Sequence, residues 1–332
     1  MNFNKTFIIA EIGNNHEGSY LNAKKMIILA KKAGVDAVKF QTFSAKDFIN
    51  PSLKKSLKRL KKFQLSVKEF KNLKVITKKL KIKFLSTPLD IKSLKSISYF
   101  LDIIKIASSD NNFYHLIELA IKTKKKVIIS LGLTNNSDLL ILKKKIILIL
   151  KKYKGNAGKI SFLHCVTNYP VKDEYVNLNV IKNLKSILKP FRVGYSDHSL
   201  GNEACIAAVS LGASIIEKHF TLDKNFSNFR DHKLSADFKD MKNLVNSIRK
   251  VEKQLGDKEK KINKIEKVYL KILRRAAYAK EDIKKNSMIL ENQIAFQRPW
   301  HPNSSLEPKK LFGKITRKFI KKNGKIKLRD LK

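Results

Sequence analysis

Phe191-Arg192-Val193-Gly194-Tyr195-Ser196-Asp197-His198, followed after an interval by Ala213-Ser214-Ile215-Ile216-Glu217-Lys218-His219, is the stretch from which the fold can be read. Both runs are β-type and end in a histidine. The interval, residues 200–212, reads as one helix. Strand, helix, strand is a βαβ unit with a parallel pair of strands. The two histidines therefore close neighbouring strands at the same carboxyl edge of a sheet. Neighbouring strands lie about 4.8 Å apart, so two imidazoles there can reach one divalent ion and leave positions open for substrate. The alternative is two hydrogen-bonded histidines at loop starts. Position favours the metal pair, because catalytic ligands collect at this edge.

The same grammar extends in both directions. Strand candidates fall at residues 6–10, 37–41, 82–86, 103–107, 127–131, 160–165, 192–195 and 214–218. Most are continuous apolar runs, the mark of strands buried on both faces. Helical stretches lie between them at 20–33, 66–80, 112–123, 137–152, 177–188 and 202–211, with a shorter one within 88–100 and a last one at 238–255. Eight βα units in about 250 residues predict an α/β fold of the (β/α)8 TIM-barrel type. An open doubly wound sheet is the competing architecture. It usually has fewer strands and a glycine-rich first turn, whereas Ile12-Gly13-Asn14-Asn15-His16-Glu17-Gly18 is not GxGxxG.

After Leu255 the pattern changes. Residues 257–269 read as a charged linker between a barrel domain at 1–256 and a small β-rich domain at 270–332. The small domain has short mixed runs at 276–279, 293–297, 311–315 and 326–328. A module of about 60 residues is near the lower limit for an independent core and needs support from the barrel or from a second subunit.

The 332 residues carry 71 Lys+Arg against 28 Asp+Glu, a net charge of +43. Nucleic-acid binding is the obvious reading of such a balance. The lysines, however, occur in nearly every segment rather than in one arm or stripe, so solvated helix faces are the simpler account, and no nucleic-acid partner is expected. A basic surface still draws in small anions. Cys165 and Cys205 are too few and too far apart for a disulfide framework or a zinc knuckle, which fits a reducing compartment. The start of the chain shows no signal peptide, and no apolar run approaches the ~20 residues of a membrane span. A cytoplasmic enzyme without a membrane partner is therefore expected.

A barrel should aim polar groups from its strand ends into one site. The strand ends here supply Glu11, Lys39 and Gln41, Ser86-Thr87, Lys105 with Ser108 and Ser109, Ser130, Thr167-Asn168-Tyr169, and the two histidines. A lysine within an apolar strand costs several kcal/mol unless an anion meets it. Lys39 and Lys105, converging with hydroxyls, describe a site for phosphate or carboxylate. The alternative is a pair of interior salt bridges with Glu11 as partner. Donors outnumber acceptors among these residues, which favours the anion site.

These residues carry a resemblance. Ala10-Glu11-Ile12-Gly13-Asn14-Asn15-His16-Glu17-Gly18, Val38-Lys39-Phe40-Gln41, Ser86-Thr87-Pro88, Lys105-Ile106-Ala107-Ser108, Leu163-His164-Cys165 through Tyr169-Pro170, Gly194-Tyr195-Ser196-Asp197-His198 and Glu217-Lys218-His219-Phe220-Thr221 together resemble the sialic acid synthase family. That family includes N-acetylneuraminate synthase and its legionaminate and pseudaminate relatives. The tail resembles the antifreeze-like (SAF) module that follows the barrel there, with Arg298-Pro299 matching its signature arginine.

The resemblance implies that phosphoenolpyruvate condenses with the aldehyde of an open-chain N-acylated amino sugar to give a nonulosonic acid and phosphate. It implies a divalent ion, manganese or magnesium, on His198 and His219, acting as Lewis acid on the aldehyde. Lys39, Thr87, Lys105, Ser108 and Ser130 would bind phosphoenolpyruvate, with fixed cations stabilising charge that shifts toward its phosphate and carboxylate. Glu11 and Glu217 are the implied catalytic carboxylates, and Glu11 positions the sugar or manages a proton. Thr167, Tyr169 and Asp231 would line the sugar side, and Arg298 would bind the N-acyl group from the partner in a domain-swapped homodimer. Three departures stand out. Phe229-Arg230-Asp231-His232 replaces the usual Gly-Pro-Asp-His, Trp300-His301-Pro302 replaces a glycine-rich turn, and Leu131 stands where a threonine is common. The first two touch the sugar side. Trp300 reads either as a stacking surface for a sugar ring or as module core. His115, His164 and His301 read as structural. His16 and His232, in site-facing loops, stay open between structure and function. A Schiff-base aldolase on the same fold would use Lys39 or Lys105 as nucleophile and need no metal; borohydride trapping with pyruvate separates the two.

Overall fold

A computed structural model describes residues 5–332. The start of the chain, read above as free of a signal peptide, lies largely outside the described residues. The chain divides into two compact units, Met1–Gly256 and Asp257–Lys332.

In the first unit, eight strands form a closed barrel in sequence order: β1 (Phe7–Gly13), β2 (Ala37–Thr42), β3 (Lys83–Pro88), β4 (Ile103–Ile106), β5 (Lys126–Ser130), β6 (Ile160–Cys165), β7 (Arg192–Asp197) and β8 (Ile215–His219). Every neighbouring pair is parallel, and β8 closes onto β1 with His219 opposite Glu11. Side chains alternate along each strand, so one set faces the helices and the other fills the barrel. The outward set builds the main core with helix residues such as Met26, Leu73, Leu142 and Met241. The inward set starts with an apolar layer of Phe7, Ile9, Ala37, Leu85, Ile103, Ile128, Leu163 and Ile215. Two residues further along the same strands stand Glu11, Lys39, Thr87, Lys105, Ser130, Cys165 and Glu217, all buried. Polar chemistry thus rests on an apolar floor. On β7 the floor position is Gly194, where a Cβ would lie 2.4 Å from the Ile215 carbonyl oxygen and 2.7 Å from Leu163.

The outer helices begin where side-chain caps satisfy their free amide groups. Ser66 with Glu69 and Asn135 with Asp138 form capping boxes. The helix read across 200–212 is shorter, Glu203–Ser210. In this unit three α-helices were not anticipated: Ala45–Phe48, Lys54–Phe63 and Arg230–Leu234. Lys54–Phe63 is lysine-rich and buries only Phe63, so its apolar periodicity is too thin to read.

The second unit corrects two expectations. The segment read as a linker at 257–269 holds the start of a helix, Lys264–Leu273, because Asn263 and Glu266 form a capping box. The β-rich reading is only partly met. The regular strands are β9 (Ala276–Ala279) and β10 (Ile294–Gln297), paired antiparallel. Residues 311–315 and 326–328 make no strand among the described residues. Single bridges such as Met288↔Ile315 and Tyr278↔Lys325 join the chain near them instead. Turns at Pro308–Lys310, Gly313 and Gly324 interrupt the chain before a ladder can extend. Ala277, Ala279, Ile283, Ile289, Leu311 and Ile326 form the small core.

Candidate active site

The inward polar layer is an ion network. Glu217 Oε1 lies 3.0 Å from Lys39 Nζ and 3.4 Å from Lys105 Nζ, and accepts a hydrogen bond from Ser196 Oγ at 2.9 Å. Lys39 also meets Glu11 Oε2 at 3.3 Å, and Lys105 donates to Ser130 Oγ at 2.7 Å. Two ammonium groups therefore face two carboxylates. The interior salt bridges weighed from the sequence exist, and the donor excess expected there is not what the interior shows. Burial works to raise both carboxyls, with different results. Glu11 is pushed up to about 7, against the pull of Lys39. For Glu217 the two lysines outweigh burial and hold it well below the usual carboxylate range. Burial also pulls Lys105 down, and Glu217 opposes that pull. Burial acts on Lys39 in the same sense, yet Glu11 and Glu217 raise it overall.

Beside this network, Thr87 is 3% exposed and its hydroxyl has no hydrogen-bond partner among the described residues. Ser108 Oγ accepts from the Gly132 amide at 3.1 Å. A Cβ on Gly132 would lie 2.2 Å from Thr167 Oγ1 and 2.7 Å from Ser108 Oγ, so glycine is what lets these two hydroxyls converge. Asn111 holds that turn by donating to the Ser130 and Gly132 carbonyls at 3.2 and 2.9 Å.

The histidines meet as the βαβ reading requires. The rings of His198 and His219 are 5.4 Å apart between centroids. His198 Nδ1 lies 2.8 Å from the Val166 carbonyl. A carbonyl can only accept, so Nδ1 carries the proton and Nε2 keeps a free lone pair, the arrangement metal-ligating histidines use. His219 Nδ1 is buried without a hydrogen-bond partner among the described residues. Burial and the neighbouring His198 hold His219 well below the ordinary histidine range, which keeps it neutral. Two neutral-capable imidazoles fit a divalent ion whose other positions are taken by water or substrate oxygen. Among the described residues no group of three or more His, Cys, Asp or Glu gathers as a ligand set.

Tyr169 packs over this pair, its ring 4.1 Å from His198 and 6.0 Å from His219. The Arg230 guanidinium lies over the Tyr169 ring, 4.8 Å from its centroid. Asp231 is buried, with Arg230 Nε at 3.3 Å, and burial raises its carboxyl. Arg298 belongs to the second unit, where it follows β10 and is exposed. His164 donates to the Val176 carbonyl at 2.8 Å, and His301 Nε2 lies 3.2 Å from the Ala277 carbonyl, both structural contacts. His16 Nδ1 accepts from the Gly18 amide at 3.0 Å, and His232 Nδ1 lies 2.7 Å from Thr221 Oγ1.

Four contributors were missed from the sequence: Cys165, 3.7 Å from His198 Nδ1, Ser196 on Glu217, Asn111, and Gly132. Strand alternation offered a signal for two of them, since Ser196 and Cys165 have the parity of the inward layer. A cavity of about 830 Å³ lined by Phe48, Leu89, Lys92, Lys95 and Phe113 contains none of the strand-end residues, so open volume alone does not locate the chemistry.

Fold and site together define a (β/α)8-barrel enzyme with its ionised interior at the carboxyl ends of the strands. A model of the NeuB family matches residues 26–260. The chain is 39% identical over 96% of its length to the N,N'-diacetyllegionaminic acid synthase of Campylobacter jejuni, covering 98% of that protein. It is 30% identical over 87% of its length to the N-acetylneuraminate-9-phosphate synthase of Homo sapiens, covering 82%. It is similar in structure to the N-acetylneuraminic acid (sialic acid) synthetase of Leptospira borgpetersenii, with TM-score 0.74 and 34% identity over 80% of this chain and 91% of that one. The chain belongs to the NeuB family. It is a transferase that forms a carbon–carbon bond with phosphoenolpyruvate.

Proposed function

We propose that this enzyme joins C3 of phosphoenolpyruvate to the aldehyde carbon of an open-chain N-acylated amino sugar. Water adds at C2, phosphate leaves, and the product is a nonulosonic acid. The observation that carries this reading is the buried Lys39–Glu217–Lys105 network on the same inward face of the barrel as the two imidazoles, which stand two residues further along β7 and β8. Lys39 and Lys105, with Thr87, Ser108 and Ser130, bind the phosphate and carboxylate of phosphoenolpyruvate. Both ammonium groups are already desolvated, so little reorganisation is needed when the anion arrives. Glu11 handles the proton exchanged as water adds, and Glu217 fixes the two lysines. His198 and His219 hold a divalent ion, manganese or magnesium, which when bound supplies Lewis-acid polarisation of the aldehyde oxygen.

Tyr169, Thr167 and Asp231 face the sugar. The similarity to the C. jejuni synthase across nearly the whole of both chains supports a sugar bearing two N-acetyl groups over N-acetylmannosamine. The second unit is an antifreeze-like module that delivers Arg298 to the N-acyl group across a domain-swapped homodimer. In support, the helix Lys264–Leu273 exposes Ile265, Val268, Tyr269 and Ile272 on one side, at i, i+3, i+4 and i+7.

Phosphate release from phosphoenolpyruvate, assayed with a panel of amino-sugar aldehydes, tests the reading. The diacetamido aldehyde should give the highest kcat/KM. Turnover of N-acetylmannosamine at equal or higher kcat/KM overturns the substrate assignment, and no phosphate release with any aldehyde overturns the reaction.

A further inference from the structure

Asp197 and Lys218 are a buried charge pair in the barrel wall that the site described above does not use. They are direct register partners on β7 and β8, and each immediately precedes one of the two histidines. Alternation sends them outward, away from the site. Cys205, on the helix Glu203–Ser210, donates to Asp197 Oδ2 at 3.3 Å, which confirms that the pair lies under the helix layer. Lys218 Nζ lies 2.6 Å from Asp197 Oδ2, with side-chain exposures of 2% and 0%.

The pair does more than neutralise itself. Lys218 also donates to the Ser199 carbonyl at 2.8 Å. Asp197 Oδ1 accepts from the Ser199 amide at 2.8 Å, the Ser199 hydroxyl at 2.7 Å and the Tyr195 hydroxyl at 2.9 Å. One carboxylate and one ammonium thus grip residues 197 and 199, on both sides of His198.

This grip matters because of where the ladder stops. The β7–β8 register ends at Asp197↔Lys218. His219 is still held as a strand residue, opposite Glu11 on β1. His198 has left the ladder. Its own carbonyl accepts from the Val171 amide and its ring bonds the Val166 carbonyl, both on the β6 side. Past the last register pair, the bond from Lys218 to the Ser199 carbonyl ties the segment carrying His198 to the strand bearing His219.

We propose that Asp197 and Lys218 are a positioning pair for the divalent-ion site: a clamp on the outside of the wall that sets the separation of the two imidazoles inside it. The inference rests on the reading of His198 and His219 as the ion's protein ligands. Groups that hydrogen-bond a ligating histidine directly are typically worth about 10- to 100-fold in metal affinity, and this pair, which acts through the backbone on either side of His198, is expected at the lower end of that range.

The test measures Mn²⁺ binding to the full chain by calorimetry, with phosphoenolpyruvate binding in chelator as the control. Removing one charge alone strands the other in the core, so the informative variant is the double one, Asp197→Asn with Lys218→Met, which leaves no buried charge. If the clamp positions the imidazoles, the double variant melts within about 5 °C of the parent and binds phosphoenolpyruvate as the parent does, yet its Kd for Mn²⁺ rises at least about tenfold. A folded double variant with unchanged Mn²⁺ affinity overturns the inference while leaving the ligand assignment intact. A parent chain that binds no Mn²⁺ removes the ligand assignment and this inference with it. Should the double variant not fold, Ser199→Ala decides: it removes a single bond to Asp197 and keeps the ion pair. A severalfold weaker Mn²⁺ affinity then supports the clamp, and an unchanged one overturns it.

Discussion

Lys39 and Glu217 meet at 3.0 Å inside the barrel, on strands that are separated by β1. A cation and an anion at that distance, both nearly free of solvent, interact far more strongly than a surface pair. Replacing Lys39 with Met should raise KM for phosphoenolpyruvate more than about tenfold and leave KM for the sugar within about threefold. Lys105→Met should behave alike. Steady-state kinetics with each substrate varied in turn makes the distinction, and equal effects on both KM values would mark the lysines as structural.

Removing the divalent ion should abolish turnover and leave the fold intact. His198→Ala should do the same, because the ring sits at the site side and contributes little to the main core. Circular dichroism and turnover in excess chelator are the measurements. Full activity of the chelated enzyme would remove the ion from the chemistry.

His16 gives stability a pH dependence. Burial holds its pKa down at about 4, against an ordinary 6.5, and its Nδ1 is committed to accepting from the Gly18 amide. A histidine depressed on folding binds its proton more readily when unfolded. Its contribution is therefore present above about pH 6.5 and is lost as pH falls toward 4. The loss amounts to about 3 kcal/mol by pH 4. Urea unfolding of the parent and of His16→Gln across this window should show a steeper fall for the parent. Parallel curves would refute it.

The crossed-dimer reading predicts complementation. Inactive His198→Ala and Arg298→Ala chains, mixed and allowed to exchange, should recover part of the activity. If the module acted within its own chain, every barrel in the mixture would lack one component. No recovery despite verified subunit exchange would exclude the crossed arrangement.

The barrel was legible because its signal is local and repeated. Eight apolar runs, each followed by a helix-length interval, leave few topologies open, and right-handed crossovers prune the rest. Most of the polar residues two positions beyond the apolar floor were legible at the strand ends; Cys165 and Ser196 were not, although period 2 assigns them to the same face. That rule also separates His198 and His219 from Asp197 and Lys218, although all four sit in the same two motifs. The helix Lys264–Leu273 was hidden because a capping box in a charged stretch looks like a linker until its apolar side is counted.

The sequence alone therefore determined the barrel of eight strands, most of the polar residues at their ends and the placing of the two histidines on adjacent strands. Only the tertiary structure decided which charge meets which. Glu217 reaches Lys39 and Lys105 from across the barrel, and the tilt and stagger of the closed sheet set those distances. It also decided that the β7–β8 ladder ends one residue short of His198. Hydrogen-bond register depends on how two strands meet, which no single strand encodes.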